Sequence, residues 1–104
     1  MSIDRVAYFS RIVADQPGEP RARYGLAVAL RQAGRWDEAV AEYRAYLGIA
    51  TDEGAAYGHL AECLTALGDP HGAADAYLAG IDAAIRHGHN GLAADFQAAV
   101  EALD

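Results

Sequence analysis

The stretch GRWDEAVAEYRAYL, residues 34–47, decides the fold. A glycine precedes a tryptophan, an acidic pair follows, and an alanine stands four residues before a tyrosine. No catalytic chemistry needs that order, but a helix hairpin does. Gly34 accepts the positive φ that ends one helix and turns the chain. Asp37 and Glu38 fall in the first turn of the next helix, where carboxylates favour the positive end of the dipole. Ala39 is small, so the two helices can approach closely, and Trp36 and Tyr43 fill the space around the contact. Trp36, Ala39, Val40, Tyr43, Tyr46 and Leu47 recur at helical spacing.

Shifting the chain by 34 residues repeats the pattern. Ala22 meets Ala56, Leu26 meets Leu60, Ala27 meets Ala61 and Leu30 meets Leu64. Gly34 then meets Gly68, Ala39 meets Ala73, Tyr43 meets Tyr77 and Ala45 meets Ala79. Such a period marks stacked supersecondary units. Each unit opens with a helix whose apolar face is Ala22, Leu26, Ala29, Leu30 and Ala33, or Ala56, Leu60, Cys63, Leu64 and Leu67. In the second unit Asp69 caps the next helix and Pro70 takes its first position.

The ends extend the pattern. Residues 3–15, IDRVAYFSRIVAD, read as the second helix of a half-repeat, and PGEP is a short turn. Leu92, Phe96, Ala99, Val100 and Leu103 reproduce the first-helix spacing with an offset of 36, the two extra residues fitting the RHGHNG turn. Gln97 replaces the small Ala27 and Ala61 and reads as a polar cap, with Glu101 and Asp104 guarding the same end. The expected organisation is one all-α domain over residues 1–104: a half-repeat at 3–15, repeats at 20–53 and 54–87, and a capping helix at 90–103. These six helices suffice to bury a continuous core.

Leu26, Ala27, Leu30, Gly34, Trp36, Ala39 and Tyr43, with Tyr57, Leu60, Ala61, Leu64, Gly68, Ala73 and Tyr77, resemble the tetratricopeptide repeat, in particular its small bacterial-type proteins. Ala27 and Ala61, where the family often has glycine, and Pro70, where an aromatic is usual, are departures. The resemblance implies a right-handed superhelical stack of antiparallel hairpins, an α-solenoid. It implies a non-enzymatic adaptor or scaffold that binds a peptide or partner protein in a concave groove. Tyr24, Val28, Arg31, His59 and Glu62 stand at the positions that face that groove. Some family members clamp the carboxylate of chaperone tails with Lys, Asn and Arg. Here the matching places carry Tyr24, Val28, His59, Gly91 and Asp95, so such tails are not expected to bind.

Charge narrows the partners. The net charge is −7; residues 1–44 hold seven Arg and six acids, whereas residues 45–104 hold Arg86 and nine acids. No basic stripe opposes nucleic-acid phosphate or an anionic membrane, so neither is an expected partner. The longest apolar run, residues 26–30, is too short to cross a bilayer, and the start lacks a signal-peptide pattern. With Cys63 alone, a cytoplasmic protein without internal disulfides is expected. Cys63 lies on the apolar stripe of its helix, and no nucleophile–base arrangement or phosphate loop appears, so neither an enzyme nor a cofactor is expected.

Two alternatives stand beside the adaptor. One is self-association through the N-terminal helix, where Tyr8, Phe9, Ile12 and Val13 cover more circumference than one neighbour can bury; Asp4, Arg5 and Arg11 interrupt that patch, which tips the reading to a monomer over a homodimer. The other is metal binding at His87 and His89, helped by Asp82 or Asp95. No Cys or further His lies at ligand spacing, so no metal is expected. His59 and His71 are read as solvated.

Overall fold

The structure, a computed structural model, describes residues 4–103. Ile3, in the expected 3–15 helix, and Asp104, in the expected polar end, lie outside the described residues. Among those residues there are six helices and no strand, and the chain divides into two compact units between Ala50 and Thr51.

Unit one holds α1 (Arg5–Asp15), α2 (Pro20–Gln32) and α3 (Trp36–Ile49). The Asp4 carboxylate accepts from the Ala7 N–H at 3.1 Å and opens α1. Pro17 cannot continue a helix, and α1 ends before it. Pro20 starts α2 at the position where its missing N–H costs nothing, and the Glu19 carboxylate accepts from the Arg21 N–H at 3.1 Å. Helix α2 packs against both α1 and α3. Val13, Ala22, Leu26, Ala27, Leu30, Ala39, Val40 and Tyr43 form the core. The Phe9 ring lies over Gly25; a Cβ there would come within 2.5 Å of it. A glycine inside a helix costs about 0.5–1 kcal/mol relative to alanine, and here it makes room for an aromatic ring.

Unit two holds α4 (Ala55–Ala66), α5 (Pro70–Arg86) and α6 (Asn90–Glu101). Asp69 accepts from the Gly72 N–H at 2.9 Å and Pro70 begins α5. Helix α5 packs against both α4 and α6. Phe96 of α6 fills a seat made by two glycines: a Cβ on Gly58 would meet its ring at 2.7 Å, and one on Gly80 at 2.8 Å. Tyr77 lies beside it, ring centroids 5.4 Å apart. Ahead of α4, Asp52 accepts from the N–H groups of Gly54 and Ala56 at 2.8 and 2.9 Å. That doubly bonded carboxylate fixes a loop whose Gly54 has φ +133°.

The turns expected at Gly34 and Gly68 are present, and a third copy surrounds Gly88. Their φ values are +73°, +76° and +79°. In each, the N–H after the glycine reaches back to the carbonyl five residues earlier: Arg35 to Leu30 at 2.9 Å, Asp69 to Leu64 at 2.9 Å, His89 to Ala84 at 2.7 Å. This is the left-handed helix stop that glycine permits.

Three expectations change. The two extra residues before the last helix do not enlarge its turn. They lengthen α5 to 17 residues, against 14 in α3, and the turn at Gly88 is as tight as the others. Leu67 is not on the buried face; it is the C-cap of α4 and is 43% exposed. Ala33, the C-cap of α2, is exposed for the same reason: the backbone turns there toward the glycine. Trp36, at the first position of α3, is half-buried, whereas Ala39 and Tyr43 are fully buried.

Candidate functional site

In unit one, Tyr24, Val28 and Arg31 follow one another at helical spacing on one face of α2, and all three are half-buried. The Tyr24 ring meets Tyr43 and Tyr46 of α3 edge-on, with centroids 6.1 and 5.1 Å apart. Such edge-to-face contacts place the positive rim of one ring on the negative face of another. Arg31 Nε donates to the Tyr43 hydroxyl at 3.2 Å. The buried phenol therefore has a partner, and the guanidinium is tied to the aromatic cluster. The result is a row of aromatic, aliphatic and cationic groups braced from below by two tyrosines. The bracing tyrosines were legible as core positions. Their contact with Tyr24 was not, since it depends on the crossing of α2 and α3.

Elsewhere in unit one, Arg23 donates to both Glu42 oxygens at 3.2 and 2.9 Å and to the Pro17 carbonyl at 3.0 Å. Arg35 makes a two-bond pair with Glu38, at 2.9 and 2.8 Å, which raises the arginine pKa and lowers that of the glutamate. Glu38 and Glu42 stand on the wall of a cleft of about 380 Å³ floored by Val13, Leu26 and Leu30. On α1, Tyr8 is 54% exposed and meets Phe9 edge-on at 5.1 Å, while Phe9 and Ile12 are half-buried.

In unit two, His59 and Glu62 lie on α4, with His59 Nδ1 3.9 Å from a Glu62 oxygen. Glu62 is exposed, but His59 is half-buried rather than solvated. His71 is exposed, as expected. Burial raises the Tyr77 pKa, and the charge of Glu62 adds to it. The two turn histidines part company. His89 Nε2 lies 2.6 Å from a Glu53 oxygen, whose pKa is lowered first by that hydrogen bond and then by the charges of His87 and His89. Asp82 pairs instead with Arg86. Among the described residues no group of three or more His, Cys, Asp or Glu side chains could hold a metal ion. Cys63 is fully buried. No helix among the described residues is long and apolar enough to cross a membrane.

One feature escaped the sequence reading: Leu78 and Ile85 on α5 are 54% and 59% exposed. Their four-and-three spacing with Ala74 and Ile81 was the available signal.

Residues 6–54 match the family model described as "Tetratricopeptide repeat". No curated protein sequence matches the chain significantly. Among solved structures, PcrH in complex with the chaperone-binding region of PopD superposes with a TM-score of 0.85 at 25% identity, over 94% of this chain and 74% of that one. The type III secretion translocator chaperone SycD of Yersinia enterocolitica gives 0.84 at 20% identity, over 94% and 68%. Protein BPP2914 from Bordetella parapertussis gives 0.81 at 22% identity, over 99% and 89%. The fold is that of tetratricopeptide-like helical hairpins, a fold that points to protein interaction.

Proposed function

From a tetratricopeptide-like helical-repeat chain, with the family's repeat matched over residues 6–54, we propose a non-enzymatic adaptor that holds a segment of a partner protein. The observation that carries this reading is the α2 row of Tyr24, Val28 and Arg31 braced by Tyr43 and Tyr46. A rigid aromatic with an apolar neighbour and a fixed cation is the makeup of an interaction hot spot. The row takes an apolar side chain of the partner on Tyr24 and Val28 and an acidic or carbonyl group near Arg31. PcrH, solved with a segment of PopD, supports the reading by analogy of fold.

The adaptor works as a cytoplasmic monomer. The Phe9 ring is seated on Gly25. That leaves Tyr8, with Ile12 in part, as the remaining surface for pairing N-terminal helices. Sedimentation checks the state; a dimer dispersed by Tyr8→Glu would reverse it.

Affinity capture from native cell extract tests the main reading, with wild-type protein and Tyr24→Ala as parallel baits. The expected result is a partner retained by the wild type and reduced about tenfold by Tyr24→Ala. Equal capture by both baits would move the site off α2.

A further inference from the structure

We infer that the outer face of α5 is a second docking surface, one that takes a basic amphipathic helix. Ala74, Leu78, Ile81 and Ile85 are spaced four, three and four residues apart. That is the spacing of a seam between two packed helices. It runs about 16 Å along the helix at 1.5 Å per residue. Leu78 and Ile85 are more than half exposed, and Ala74 and Ile81 are half-buried along the edge that meets the core.

The face is peculiar to this helix. At the 34-residue shift, Leu78 corresponds to Arg44 of α3, which is exposed as usual for a charged residue. Ile85 corresponds to Thr51, beyond the end of α3. The longer α5 adds the turn that carries Ile85. Ala74 and Ile81 match Val40 and Leu47, apolar positions of α3, so repeat packing accounts for them but not for Leu78 and Ile85.

Charge selects the occupant. Asp75 and Asp82, seven residues apart and both exposed, form a carboxylate row beside the seam. Arg86 is the one Lys or Arg in residues 51–104, against nine acids, and it pairs with Asp82. A partner helix with Leu or Ile in its seam and Lys or Arg beside it would bury Leu78 and Ile85, meet Asp75, and compete with Arg86 for Asp82. A second copy of the chain fits poorly. It would bring the same carboxylates face to face, each on a molecule of net charge −7.

The surface is independent of the α2 row, and the test separates them. The full chain is titrated against a fluorescein-labelled peptide of about 18 residues with a leucine seam and lysine flanks, long enough to form a helix on binding. A scrambled peptide of equal composition and a version with glutamate flanks serve as comparisons. The lysine-flanked helix is expected to bind, the other two at least about tenfold more weakly. Leu78→Arg, which installs the residue α3 carries, and Ile85→Glu should each weaken binding about tenfold. Tyr24→Ala should leave it unchanged. Circular dichroism confirms the fold of each variant, and Asp75→Lys provides an independent probe of the flank. The inference is overturned by absent binding, by equal binding of the scrambled peptide, or by indifference to Leu78→Arg and Ile85→Glu. It is equally overturned by a dimer in sedimentation that Leu78→Arg disperses, which would make the occupant a second copy.

Discussion

The two units use the same hairpin and hold it together differently. In unit one the tyrosine of the second helix, Tyr43, is fully buried and its hydroxyl is bonded by Arg31. In unit two the matching Tyr77 is only half-buried and lies against Phe96. Unit one is laced by the ion pairs Arg23–Glu42 and Arg35–Glu38. Unit two is acidic and relies on an aromatic ring seated on two glycines and on a loop fixed by Asp52. The helix stops at Gly34, Gly68 and Gly88 are interchangeable. The side chains between them are where the units diverge, and so where surfaces of different chemistry arise.

The sharpest break in that comparison comes from the phenylalanines. Phe96 is buried on Gly58 and Gly80, whereas Phe9 is half-buried on Gly25 alone. Phe96→Ala should cost about 3–5 kcal/mol, and Phe9→Ala about 1–2 kcal/mol, since less contact is lost. Urea melts of both variants check this; equal losses would mean that the two glycines do not define a special seat.

A paired substitution tests what the units share. Ala39 and Ala73 are both fully buried at matching positions. Ala39→Arg and Ala73→Arg should each destabilise by about 2–4 kcal/mol through overpacking and a buried charge. A thermal melt unchanged by either would contradict the close helix contact in that unit.

The caps give a smaller contrast. Asp52 accepts two backbone N–H bonds and Asp4 accepts one. Asp52→Ala should cost about 1–2 kcal/mol and Asp4→Ala about 0.5–1 kcal/mol, measured by chemical denaturation. The reverse order would show that the loop before α4 is held by other contacts.

The smallest effect is electrostatic. The Glu53 pKa is lowered in the folded chain, mainly by the hydrogen bond with His89. A lowered folded value means that its contribution is present above the usual carboxylate value of 4.5 and is lost as pH falls through the folded one. Both groups are exposed, so Glu53→Gln should flatten the acid side of the stability profile only slightly. Melting temperatures between neutral and acid pH check the sign, which a larger loss on the alkaline side would contradict.

The hairpins were legible because they rest on short-range rules. Glycine at a left-handed stop and alanine at a close contact act through neighbours in sequence, and the 34-residue shift displays them twice. The glycines inside helices were not legible. Gly25, Gly58 and Gly80 look like defects until the rings of Phe9 and Phe96 are placed over them. The α2 row was legible as a face, while its bracing by Tyr43 and Tyr46 required the helix crossing. The length of α5 was not legible, since the two extra residues fit a longer turn as well as a longer helix. The Gly88 stop looks the same in sequence whether the helix before it is long or short.

Photo-cross-linking in the native cell tests the central claim most directly. A benzophenone amino acid is placed at position 28 on α2, or at the exposed position 94 on α6. The adaptor reading predicts a discrete protein adduct from position 28, absent from 94 and lost on adding Tyr24→Ala. Adducts from 94 with none from 28 would contradict it.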